Sequence, residues 1–424
     1  MSSSPLSGAV VLLFAIACGL SVANVYYAQP LLDAMADTFA IDHATVGIII
    51  TLTQVGYGIG LLLLVPLGDL LNRRRLIVTQ LLLSSVAVLI VALSSNALWL
   101  LTGMLLTGLL AVVAQVLVAF AAHLAAPAQR GHVVGLVTSG IVVGLLLARS
   151  VAGVMADLAG WRSVYLLSAG LTLLMAVLLW RVLPSTETQR VAGTYAALIR
   201  SVFNLFTQEK VLRDRAVLAM LIFAAGTVLW TPLVLPLSTP PLSLSHTQIG
   251  LFGLAGAAGA LGALRAGRLA DQGFGQWTSG VALLLMLLSW IAIGFTQSSL
   301  WALLLGVIVF DLGLQAVHVT SQSLIYAVRP DAQSRLVAGY MLFYSVGSAA
   351  GSVSATAVYA WAGWIGVCGL GATINLLALI YWRATLPTGP TSVPGAGHAL
   401  QHAVATNQPV EQGRRQVQQH RQEQ

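Results

Sequence analysis

Twelve apolar runs, each close to twenty residues long, leave this chain few ways to fold. About 20 residues of α-helix cross the roughly 30 Å of hydrocarbon in a bilayer, where a backbone must satisfy its own hydrogen bonds. The runs lie near residues 8–30, 45–67, 76–95, 98–122, 133–155 and 163–183, and again near 216–237, 247–266, 278–296, 300–327, 336–359 and 363–383. Charged residues make up only 8% of the chain, against about a quarter in soluble domains, so little of it can face water. The spacing predicts an all-α integral membrane protein with twelve transmembrane helices in two six-helix bundles. The bundles cover 1–183 and 215–385, a cytoplasmic linker covers 184–214, and a Pro-, Gly- and Gln-rich tail over 386–424 is expected to be disordered. No basic residue precedes the first run, which reads as an uncleaved span.

The basic residues orient the chain. With both termini in the cytoplasm, 18 of the 20 Lys and Arg residues fall in cytoplasmic segments, leaving only Arg149 and Arg162 elsewhere. Asp33, Asp37, Asp42 and Asp157 sit at or beyond the outer ends of spans. The net charge of +7 therefore belongs to loops facing anionic lipid, and no domain offers a basic groove for nucleic acid. The chain has no Asn-x-Ser/Thr site, which fits a bacterial source, and the expected location is then the bacterial inner membrane.

Three landmarks recur at one spacing. Leu67-Gly68-Asp69 and Leu269-Ala270-Asp271 place their acids 202 residues apart, Gly160-Trp161 and Gly363-Trp364 are 203 apart, and Pro127 and Pro330 are 203 apart. A six-span offset preserves orientation, so the halves are parallel repeats about an axis along the membrane normal, an architecture that binds solute near the midplane.

Twelve spans in six plus six, with Gly68, Asp69, Arg73 and Arg74 between the second and third, resemble the major facilitator superfamily. Within it the chain is similar to bacterial drug:proton antiporter-type and nucleoside- or sugar-efflux permeases. That resemblance implies export by alternating access in exchange for protons, no cofactor, and a monomer. It also implies a latch between halves in the outward-facing state, built on Gly68, Asp69, Arg73 and Arg74 and on Asp271 in the second copy. The alternative for the arginines is simple anchoring at the lipid surface. Met104 stands where such antiporters carry Arg, and Leu145 follows Gly140-x-x-x-Gly144 where they carry Pro, which leaves antiport and uniport both open.

Asp311 is the carboxylate deepest within a span. An ionisable group there costs roughly 3 kcal/mol on insertion scales and should face a cavity. Asp311, Gln315, His318 and Gln322 share one helical face. Burial disfavours the charged form of Asp311 and His318 alike, which makes both proton-coupling candidates; the alternative is an interhelical network that never titrates. Asn24, Tyr26, Tyr27 and Gln29 form a polar and aromatic patch before Pro30, and with Gln115, Gln315 and Gln322 they are candidates for the solute path, helix packing being the competing reading. Arg149 has three possible roles: pairing with a substrate anion, pairing with Asp33, or snorkelling outward. The glycines at 250, 253, 256, 259 and 262 mark the eighth span as a packing helix.

A membrane enzyme would need a nucleophile with its base, a metal set or a phosphate-cradling loop, and none is present in the sequence. Cys18 and Cys368 lie in separate apolar runs and frame neither a disulfide nor a metal site.

Overall fold

Each apolar run folds as a helix, because only internal i to i−4 bonding satisfies a lipid-embedded backbone. The computed structural model describes residues 8–125, 129–184, 195–262, 264–328 and 333–386; among them there is no strand. The first half contains α1 (Gly8–Tyr26), α2 (Leu32–Phe39), α3 (Ile48–Leu63), α4 (Leu67–Leu70), α5 (Arg73–Ala92), α6 (Ala97–Ala111), α7 (Val113–Leu124), α8 (Arg130–Ala159) and α9 (Trp161–Val182). After α10 (Tyr195–Gln208), the second half contains α11 (Lys210–Trp230), α12 (Val234–Ser238), α13 (His246–Gly262), α14 (Leu264–Leu269), α15 (Gly275–Gly294), α16 (Leu300–Val328) and α17 (Gln333–Thr385). Two spans run on into α17 across a kink at Gly363. Both halves fall in one compact unit, Met1–Arg383. The expected tail disorder concerns residues that, from 387 on, lie outside the described residues, as does 185–194 of the linker.

Local sequence explains the breaks. Pro30 has no N–H to give, and the first span changes there into a 3-10 turn over Gln29–Leu31 before α2. Asn72 and Asn96 cap α5 and α6, each accepting from a backbone N–H at 3.1 Å, from Arg75 and Trp99; such caps contribute about 1 kcal/mol each. Gly160 (φ 78°, ψ 160°) and Gly363 (φ 62°, ψ −161°) take a backbone conformation open essentially to glycine alone. Each turns the chain directly into a buried tryptophan, Trp161 or Trp364, so the Gly-Trp repeat is a corner made twice.

Packing obeys the same two-fold logic. The first and fifth spans meet where Gly19 faces Gly140 and Gly144, and the seventh and eleventh where Gly347 and Gly351 face Met220 and Ala224. Gly108 of α6 sits on the backbone of Thr53 in α3, and Gly259 of α13 on that of Ile308 in α16. Without a hydrophobic drive between helices in lipid, close backbone approach through small residues is what holds them together.

The halves join along two symmetric seams. In one, α8 packs on α13, with Ser150 Oγ donating to Gly250 O at 2.9 Å. In the other, α3 packs on α17: Thr51 Oγ1 donates to Ala349 O at 3.0 Å and Ser352 Oγ to Gly47 O at 2.9 Å.

Candidate functional site

A small cavity of about 50 Å³ lies between the two seams, and helices of both halves line it. From the first half come Tyr26 and Gln29 before Pro30, Gln54 of α3 and Arg149 of α8; from the second come Trp230 of α11, Asp311 and Gln315 of α16, and Tyr344 of α17. Arg149 is 7% exposed and Asp311 9%.

The guanidinium is held on three sides. Arg149 Nε donates to Gln29 Oε1 at 2.7 Å, and its central carbon lies 3.8 Å from the Trp230 ring centre and 5.5 Å from that of Tyr26. A cation over an aromatic face gains about 2 kcal/mol when desolvated, which offsets part of the cost of burying the charge. Trp230 Nε1 in turn donates to Asp311 Oδ1 at 3.2 Å. One indole therefore serves both charges, with its face to the cation and its edge to the carboxylate. Gly256 makes room: a Cβ there would come within 2.1 Å of Asp311 Oδ2. The Tyr26 and Tyr344 hydroxyls meet at 2.6 Å and join the halves at the cavity wall.

The structure brings together only part of the residues singled out from sequence. Tyr26, Gln29, Arg149, Asp311 and Gln315 converge. Arg149 neither snorkels nor pairs with Asp33. Asn24 turns into the first half, accepting from Ser168 Oγ, and Tyr27 packs edge-on against Tyr165 there. Gln115 donates to the Tyr57 hydroxyl at 3.4 Å, and neither residue lines the cavity. His318 stays on the face it shares with Asp311 but lies beyond the cavity: its Nδ1 is 2.9 Å from the Tyr340 hydroxyl and its ring packs edge-on against Phe223. Gln322, two turns from Gln315, is not among the cavity residues. Trp230 and Tyr344 escaped the sequence reading. Pro30 and Pro232 stand 202 residues apart, the repeat spacing, and that offset marks Trp230-Thr231 as the counterpart of the patch before Pro30.

At the loop between the second and third spans, Arg73 Nε donates to Gly68 O at 2.9 Å, and Arg74 donates to Trp180 O and stacks on that ring at 4.7 Å. These contacts tie the loop to α9 of its own half. The side chains of Asp69 and Asp271 lie outside the described residues.

A second polar cluster joins the halves at the end of the bundles away from the loop of Gly68 and Arg74. Asp157, near the end of α8, accepts from the backbone N–H groups of His246 and Thr247, at 3.2 and 2.7 Å, and so caps α13 of the opposite half. The His246 imidazole bridges two carboxylates, Nδ1 to Asp157 Oδ1 at 3.2 Å and Nε2 to Asp33 Oδ1 at 3.1 Å. The hydrogen bond to Asp33, opposed by partial burial, raises the His246 pKa. A raised pKa means the contact is at full strength below the ordinary value near 6.5 and is lost as pH rises through the shifted one. Opening at this end, read as the distance distribution between spin labels on α2 and α12, is expected to increase roughly threefold to tenfold from pH 6 to pH 9. In His246→Gln it should not change with pH.

Comparison with known proteins places this geometry. The Major Facilitator Superfamily model matches residues 13–281 and 235–418. The uncharacterised transporter YgaY of Escherichia coli O157:H7 is 50% identical over 377 residues, covering 89% of this chain and 95% of the relative. A Helicobacter pylori protein named "Probable sugar efflux transporter" is 22% identical over 359 residues, 83% of this chain and 89% of its own. Among solved structures, a bacterial homolog of the human lysosomal transporter Spinster, inward-facing and unoccupied, superposes with a TM-score of 0.73 at 14% identity, covering 89% of this chain and 96% of the other. Twelve spans in two matching bundles, with a charged cavity where they meet, are thus the frame of a multi-pass membrane transporter, and the chain belongs to the major facilitator superfamily.

Proposed function

We propose that this protein exports a small organic solute across the bacterial inner membrane by alternating access, in exchange for protons, with both termini in the cytoplasm and as a monomer. One observation carries the reading: Asp311 and Arg149, buried and opposite in charge, line a single cavity whose walls come from both halves. Charges at such depth are costly, and they are found where ions or substrates pass. Rocking of one bundle on the other, with the two seams breaking in turn, would expose Asp311 to each side alternately and let it carry a proton. Solute release and proton uptake then share one site. The Helicobacter pylori relative, named for sugar efflux, agrees with the outward direction.

The test is flux into everted vesicles with an acidic interior, against a panel of drugs, nucleosides, sugars and amino acids. Collapsing the pH gradient is expected to cut accumulation of the true substrate at least tenfold. Accumulation that survives the collapse would make the protein a facilitator, and uptake driven only into right-side-out vesicles would make it an importer.

A further inference from the structure

The cavity holds two opposite charges, close enough to act on each other through space but not in direct contact. Arg149 commits Nε to Gln29, while its two Nη groups meet no acceptor among the described residues although the side chain is 93% buried, being 7% exposed. Asp311 accepts from Trp230 at Oδ1, and among the described residues no ion pair joins it to Arg149. The Trp230 ring serves both partners, taking the guanidinium on its face and the carboxylate at its N–H edge. A planar fork with free N–H groups is the natural partner of a carboxylate, and a buried carboxylate with a free oxygen is the natural partner of an ammonium.

We infer that the solute is a small zwitterion of the amino-acid type, its carboxylate on Arg149 and its ammonium on Asp311; the inference rests on the exchanger reading given above. A solute with only a carboxylate would leave Asp311 facing a like charge. One with only an ammonium would leave the Arg149 Nη groups unmatched, and a neutral sugar would leave both. The size agrees. A water needs about 10–15 Å³ of such volume and occupies about 30 Å³ of liquid, so the roughly 50 Å³ present corresponds to three to five waters, the bulk of a small amino acid. Tyr26, Phe223 and Leu314 supply an apolar wall for its side chain.

The pairing also accounts for exchange. A proton arriving on Asp311 removes the charge that holds the ammonium, so proton and solute compete for one carboxylate. Each cycle moves a neutral solute one way and one positive charge the other, and flux responds to membrane potential as well as to pH.

The experiment uses the full chain in proteoliposomes and measures counterflow of the L-amino acids, each beside its N-acetyl derivative, its methyl ester and a neutral sugar. At least one amino acid should move, with both derivatives at least tenfold poorer. Arg149→Gln should lose preference over the ester, and Asp311→Asn preference over the N-acetyl acid, which separates recognition from folding. An N-acetyl acid moving as well as its parent, an ester doing so, the sugar alone moving, or no amino acid moving at all would overturn the inference. Zwitterion flux indifferent to a pH gradient would instead sink the exchanger reading and leave the solute class standing. Gradient-driven flux of another class would do the reverse.

Discussion

Asp311→Asn is expected to abolish pH-driven accumulation, by a hundredfold or more, while the protein remains folded in the membrane. The substitution is nearly isosteric. Its carbonyl can still accept from Trp230 Nε1, now 3.2 Å from Oδ1, and Gly256 already leaves space beside Oδ2. What disappears is the capacity to bind and release a proton at the one carboxylate among the cavity residues. The measurement is substrate accumulation in everted vesicles with and without an imposed gradient, beside fluorescence-detected size exclusion of the same preparation. Retained gradient dependence in the variant would remove Asp311 from proton coupling. His318, held by Tyr340 and Phe223 outside the cavity, would then be the next group to replace.

Gly108→Leu should have the largest effect on stability. A Cβ at Gly108 would stand 1.9 Å from the carbonyl oxygen of Thr53 and 2.7 Å from its carbon, so the clash is with backbone that no rotamer change relieves. The contact joins the second and fourth spans, and forcing them apart opens the packing along both helices. Overpacking ordinarily costs about 1–3 kcal/mol, and a backbone obstacle of this kind should reach about 3 kcal/mol or more. Monodisperse protein in detergent is expected to fall to background. Gly170→Leu serves as the control: nothing lies within 4 Å of a Cβ at that position, and near wild-type yield is expected. Equal yields of the two would show that close approach at Gly108 is dispensable.

The glycine row of the eighth span shows how far a sequence reading goes. Recurrence at every third position identified a helix that neighbours approach closely, and it does pack on Arg149, Ser150 and Ile308. Nothing in that pattern told which glycine faced a charge, yet Gly256 is where Asp311 finds room. The polar patch before Pro30 behaves similarly. Tyr26 and Gln29 reach the cavity, whereas Asn24 and Tyr27, on other sides of the same turns, bind within the first half. On the tenth span the shared face of Asp311 and His318 is real, but the helix carries His318 past the cavity to Tyr340. An amphipathic helix in water announces its inner face, but a span apolar all round carries no such label.

The amino-acid order alone determined the number of spans and their two-fold repetition, and it set the expectation for their direction across the membrane. Lipid permits only helices long enough to cross it, loops carry their charges openly, and a duplicated bundle leaves its corner residues 202 or 203 positions apart. Tertiary structure alone decided which buried groups meet. The rotation of each helix is set by where small residues let two backbones touch, and that rotation places Arg149 and Asp311 on two sides of one indole ring.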